Sequence, residues 1–268
     1  MQAQDTGTEP GHRSPVLVVV TALGTVSLLL TLVAVAVVRF GGADQDALVY
    51  LRPAPTAAIQ PAASRPASQQ ASRAGARFQA DPAWVERTAT KTGIPAPAVR
   101  AYAGAQLRLA AEQPGCHLGW NTLAGIGWVE SHHGTIGDRT LNADGTSSTT
   151  ILGPALDGKQ FAAIRSTPSS AAWHGDSVWE HAVGPLQFLA STWDRWGADG
   201  DGNGVADPRD LDDAALTAGR YLCADDHDLS TDDGWSRAVH SYNHDDAYVA
   251  DVADAANTYA ARASGHAK

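Results

Sequence analysis

Cysteine and positive charge are scarce in this 268-residue chain, which holds two cysteines and only 19 lysines and arginines against 29 aspartates and glutamates. Two cysteines lack the count for a structural zinc site. No His-Glu-x-x-His accompanies the ten histidines, so no zinc is assigned. His132 and His133 are adjacent and point to different helix faces, so they cannot form an i, i+4 metal pair. His240 and His244 have that spacing, but their Ser-Tyr-Asn-His context reads as groove or packing. After residue 80 the balance is 25 acidic against 13 basic residues, a net charge of −12. That excludes a nucleic-acid partner, which needs a basic footprint. Charge would not draw in an anionic polymer either, so local contacts would have to hold it.

Large hydrophobic runs are also few, and one stands out. Residues 1–15 are polar, and Val16 to Val38 then runs 23 residues without a charge. At ~1.5 Å per residue this spans roughly 30 Å of hydrocarbon. It is longer than a signal-peptide core and has no clear small-x-small cleavage site, so it reads as a single-pass membrane anchor. Residues 39–80 are rich in Ala, Pro, Ser, Gln and Arg, a disordered tether unable to bury enough surface to fold. The folded domain is expected over 81–268, and all eight tryptophans lie within it. Behind an anchor, Cys116 and Cys223 read as one disulfide rather than two buried thiols. That pairing would put the domain on the oxidising, extracytoplasmic side and residues 1–15 in the cytoplasm.

The domain reads as mainly helical. Asp81-Pro82 starts a helix to about residue 91, and another runs over 97–112. Further helices are expected at about 121–134, 185–196, 211–223, 235–241 and 246–263. Residues 134–173 form a loop-rich insert, with room for one small hairpin near Thr150-Ile151-Leu152. In the 121–134 helix, Asn121 is the expected N-cap and Gly134 the terminator. Leu123, Ile126, Gly127 and Glu130 share one apolar face, at i, i+3, i+4 and i+7. A carboxylate there loses solvation, which raises its pKa and suits it to general-acid chemistry. A glutamate turned out to solvent at the helix end is the alternative.

Residues 199–210, Asp-Gly-Asp-Gly-Asn-Gly-Val-Ala-Asp-Pro-Arg-Asp, match an EF-hand-type calcium loop. The ligands would be Asp199, Asp201, Asn203, Asp207 and Asp210, with the carbonyl of Val205 and with Gly204 at the turn. Calcium there would be structural, and no organic cofactor is expected. Position 12 is Asp rather than the usual Glu, which is less able to bind bidentately. Two further stretches place polar groups among apolar ones: Ala182-Val183-Gly184-Pro185-Leu186-Gln187-Phe188, and Ser241-Tyr242-Asn243-His244.

In this order, Val-Glu-Ser-x-His-Gly, Ala-Val-Gly-Pro-Leu-Gln-Phe, the Asp/Gly loop with Tyr-Leu-Cys, and Ser-Tyr-Asn-His, the chain resembles the lytic murein transglycosylases. It is most similar to the membrane-bound B type and its actinobacterial relatives, over about 81–263. The resemblance implies a lysozyme-like fold with a groove for peptidoglycan glycan strands, and Glu130 as the single catalytic acid. It implies Gln187, Tyr242, Asn243 and, more weakly, Ser131 as substrate contacts. Two departures touch the groove: Glu180-His181 stands where relatives have Asp-Arg, and Asp245 where a serine is common. The implied reaction cleaves the N-acetylmuramic acid–N-acetylglucosamine bond without water and leaves a 1,6-anhydro sugar. Two alternatives stay open on the residues alone. One is a hydrolase drawing a second carboxylate from Glu180, Asp138 or Asp144; the other is a non-catalytic wall-glycan-binding module.

Overall fold

The computed structural model describes residues 78–159 and 161–265. The expected tail, the anchor at 16–38 and nearly all of the tether lie outside these residues. Among the described residues, no helix is long and apolar enough to cross a membrane.

Among the described residues, eight α-helices carry the fold: α1 (Pro82–Thr92), α2 (Ala96–Glu112), α3 (Trp120–Ser131), α4 (Pro168–His174), α5 (Ala190–Trp196), α6 (Leu211–Leu222), α7 (Asp232–Tyr242) and α8 (Asp246–Ser264). Most starts follow local chemistry. The Asp81 side chain accepts from Trp84 N at 2.7 Å with proline at N1, and Thr231 accepts from Gly234 N to start α7. Asp245 caps α8 by accepting from Ala247 N at 2.8 Å. A serine does the same work at an N-cap, so this departure from the family pattern falls on a cap.

The helices share one core. α3 lies against α8, and α2 against α6. Small residues set the first spacing, since a Cβ added at Gly125 of α3 would overlap the Val252 carbonyl of α8. Gly125 and Asn121 face Val252 and Ala256 across that interface, while Trp120, Leu123 and Ile126 are buried elsewhere in the same core. The disulfide between Cys116 and Cys223 forms as expected and ties the approach to α3 to the end of α6.

Three expected boundaries move. Gly119, not Asn121, precedes α3; Asn121 is buried in the first turn and donates to Ala256 O. The helix ends at Ser131, with His132 (φ 51°), His133 (φ 61°) and Gly134 (φ 85°) all left-handed after it. The helix expected from 185 begins only at Ala190. Val183 and Phe188 exchange both backbone hydrogen bonds, at 2.9 and 3.0 Å, which folds the intervening Gly-Pro-Leu-Gln into a tight turn. Gly184 takes φ 82° there, where a Cβ would also overlap the Pro208 carbonyl.

The insert holds α4, which has a full capping box at Thr167 and Ser170. Its remaining pairings are isolated antiparallel bridges, and no strand is longer among the described residues. The expected hairpin at Thr150–Leu152 becomes a longer-range pairing. Gly153 N donates to Ala182 O and Leu156 N to Glu180 O, while Glu180 N donates to Ile164 O. Residues 151–156 and 180–184 thus run together into the turn that carries Gln187.

Candidate active site

Glu130 sits in the last turn of α3, and only 7% of its surface is exposed. Tyr248, in the first turn of α8, donates its hydroxyl to Glu130 Oε1 at 2.7 Å. Glu130 Oε2 is buried with no partner. Burial pushes the carboxyl pKa up to about 8, and the Tyr248 hydrogen bond opposes that only in part. Near neutral pH the group therefore holds its proton. It has one oxygen fixed by the protein and one unclaimed.

No other charge enters this balance. Glu180 accepts from His174 Nε2 at 2.9 Å and from its neighbour His181 N at 3.2 Å. The His174 ring donates there because its Nδ1 already accepts from Asp176 N. Asp144 is exposed and turned to Thr146. Burial and Tyr248 are what shift Glu130, with no second carboxylate contributing.

The residues named beside the acid divide into two kinds. Ser131 is fully buried; its hydroxyl donates to Pro185 O at 2.5 Å and accepts from Gly134 N at 2.8 Å. It clamps the end of α3 to the Gly-Pro-Leu-Gln turn and leaves no hydrogen for a substrate. Tyr242 donates to Leu186 O at 2.8 Å and packs edge-on to Phe188. Its hydroxyl also serves the turn, and its pKa is raised well above the usual value by burial and then by the Glu130 charge. Gln187 is nearly buried, held at φ 53°, with its amide nitrogen donating to Gly184 O at 2.7 Å. A left-handed non-glycine residue is a strained one, and such strain gathers at functional sites. Asn243 follows α7 in extended backbone, and its Oδ1 is a second buried acceptor without a partner.

Tyr248, which follows the Ser-Tyr-Asn-His cluster, is the residue that motif reading left without a role. The signal was present: it is an apolar-face tyrosine in the first turn of a capped helix, five residues beyond the Tyr-Asn pair. What the sequence lacks is the fact that α8 lies against α3.

In the first half of the acidic loop, side-chain oxygens accept from the loop's own backbone N–H groups. Asp199 accepts from Gly202 N and Gly204 N, Asp201 from Asn203 N, and Asn203 from Val205 N, at 2.7–2.8 Å. The carboxylates that come together are not all from the twelve-residue loop. Asp199, Asp201 and Asp213 bring carboxylate oxygens within 4.8 Å of one another. Asp210 instead caps α6, accepting from Asp212 N at 2.8 Å, and Asp207 takes Arg209 N at 2.9 Å. Capping turns the Asp210 carboxylate to the helix start, and the first turn of α6 brings Asp213 round in its place. Asp213 is held there by Gly200 N and Asp207 N, at 2.6 and 2.8 Å. An all-oxygen donor set with three carboxylates fits a hard cation such as calcium.

A separate cavity of about 340 Å³ lies between α2, α6 and this loop, lined by Arg100, Arg108, Asp144, Asp201 and Asp212. The Arg100 guanidinium is engaged with Asp212 at 2.6 Å and Ala143 O at 2.7 Å. Arg108 is engaged with Glu112 at 2.8 Å and Asp199 O at 3.0 Å.

No curated protein and no solved structure matches the chain. A family model does, over the part that holds Gln187, the acidic loop, Tyr242, Asn243 and Tyr248, while α3 with Glu130 lies ahead of it. Residues 161–267 match the transglycosylase SLT domain, which supports, at family level, an enzyme that cleaves glycosidic bonds in peptidoglycan.

Proposed function

We propose that the protein is a lytic transglycosylase that cleaves the N-acetylmuramic acid–N-acetylglucosamine bond of peptidoglycan, with Glu130 as its one acid and base. The observation that carries this is the setting of Glu130: buried, anchored by Tyr248 and with Oε2 unclaimed, a burial that pushes its pKa up to about 8. A carboxylic acid so held can donate to the glycosidic oxygen as the bond breaks through an oxocarbenium-like state. The muramyl acetamido group would assist from the substrate, in place of a protein nucleophile. Glu130, now ionised, would take the proton from the C6 hydroxyl, whose oxygen closes on C1. The proton count balances, water is not consumed, and the acid is regenerated.

Asn243 Oδ1, a further buried acceptor without a partner, would receive a sugar N–H or O–H, and Gln187 would line the same groove. Asp199, Asp201 and Asp213, with Asn203 and the Val205 carbonyl, would hold calcium as a structural ion that fixes the loop before α6. We further propose a transglycosylase of the membrane-bound B type, a single-pass anchor at 16–38 and a domain on the cell-wall side. The Cys116–Cys223 disulfide supports that compartment.

Digestion of purified peptidoglycan, with Glu130→Gln alongside, tests the reading. Soluble muropeptides are expected from the native protein and none from the variant; equal release by both would remove Glu130 from the mechanism.

A further inference from the structure

We infer that His133 is a positioning residue for the acid, acting through Tyr259 and α8 on the Tyr248–Glu130 hydrogen bond; this rests on the proposed role of Glu130.

His133 lies three residues past Glu130, in the left-handed turn that ends α3. Its ring is buried and bonded at both nitrogens: Nδ1 meets the Tyr102 hydroxyl of α2 at 3.1 Å, and Nε2 meets the Tyr259 hydroxyl of α8 at 2.8 Å. A neutral imidazole has one donor and one acceptor, so one tyrosine gives a hydrogen and the other receives one. Room for this exists because residue 127 is glycine; a Cβ there would overlap the Tyr102 hydroxyl. Trp128 stacks on His132 at 4.2 Å and lies against His133 at 5.9 Å.

The geometry of α8 links this network to the acid. Tyr248 and Tyr259 are eleven residues apart, about three helical turns, so they share one face of α8. One grips Glu130 and the other grips His133, both at the C-terminal end of α3. Two bonds from one rigid helix to one short stretch fix both the distance and the rotation between α3 and α8. Asn121 also donates to Ala256 O, but from the first turn of α3, so at the end that carries the acid these two bonds are the directional ones. Such a bond also accounts for histidine at a position where φ is 61° and glycine would be the unstrained choice.

The test is a cycle of variants in the full chain. Tyr259→Phe keeps the ring and its packing and removes the hydroxyl. His133→Asn keeps a residue that tolerates left-handed backbone, and its shorter amide reaches Tyr102 but not Tyr259. Each is expected to lower kcat on peptidoglycan on the order of tenfold with KM unchanged, as a small misplacement of the acid does. The two together should cost no more than one, and in a Tyr248→Phe background either should cost less than about twofold. A loss in KM alone, full losses that add in every background, or no loss at all would overturn the role. The Glu130 titration, followed by its carboxyl carbon resonance, reads the same coupling without turnover. Its midpoint should move by about half a pH unit or more with Tyr259→Phe, and hold still with that change in the Tyr248→Phe background. An unmoved midpoint in both backgrounds overturns the inference even if activity is absent. Undiminished activity of Glu130→Gln would instead overturn the catalytic reading.

Discussion

Substituting Glu130 by glutamine is expected to abolish cleavage and, at alkaline pH, to make the protein more stable. In the unfolded chain this carboxyl ionises near 4.5, while in the fold it holds its proton to about 8. Its folded midpoint is the higher one, so its contribution to stability is fully present below 4.5 and is lost as pH rises to about 8. Above that, the fold carries a buried carboxylate with only Tyr248 to stabilise it. Moving the midpoint so far disfavours the charged form by roughly 5 kcal/mol at most. Relaxation and water entry reduce this, so a gain of about 2–3 kcal/mol for Glu130→Gln at pH 9 over that at pH 4 is expected. In a domain of this size that is on the order of 5–10 °C in Tm. Thermal unfolding of both proteins at the two pH values measures it, since the other titrating groups are common to both and cancel. An equal Tm difference at pH 4 and pH 9 would refute the argument that Glu130 is neutral in the fold.

Three further outcomes are expected. Tyr248→Phe removes the one hydrogen bond on the Glu130 carboxyl, so the midpoint should rise and kcat should fall, on the order of tenfold or more; a pH–rate profile reads both, and an unchanged alkaline limb would argue against the contact. Asp213→Asn should weaken calcium binding, measured by calorimetry and by the Tm gained on adding the ion. Asp210→Ser, which keeps a cap, should leave that binding nearly unchanged; the reverse ranking would restore the twelve-residue ligand set. Reducing the Cys116–Cys223 bond, which closes a stretch of 107 residues, should cost about 2–5 kcal/mol and lower Tm by roughly 5–15 °C, seen by comparing melting with and without a thiol.

Much of this was legible in the sequence because it is written in local periodicity. Glu130 falls on an apolar helix face by simple spacing, and its burial follows. Helices α1, α2, α6, α7 and α8 announce themselves through caps and period, and the acidic loop through its oxygens. The misses have a common physical source, which is contact between residues far apart in the chain. The Gly-Pro start at 184–185 reads as a helix, but Val183 pairs with Phe188 and bends it into a turn. Ser131 reads as a neighbour of the acid free to meet a substrate, and Pro185 takes its hydroxyl. Asp210 reads as the last ligand of a twelve-residue loop, and the start of α6 takes its carboxylate instead. Tyr248 and the Tyr102–His133–Tyr259 network required knowing that α8 lies on α3 and that α2 reaches the same spot. The bridges Leu152–Val183 and Arg165–Trp179 join the insert to residues too distant for any turn motif to signal.

The most direct measurement is the mass of the sugar ends released from peptidoglycan by the calcium-loaded full chain, with Glu130→Gln as control. The account predicts muropeptides ending in 1,6-anhydro-N-acetylmuramic acid from the native protein and none from the variant. Ends heavier by one water would contradict it, because a hydrolase needs a second group to activate that water and Glu130 stands here without one.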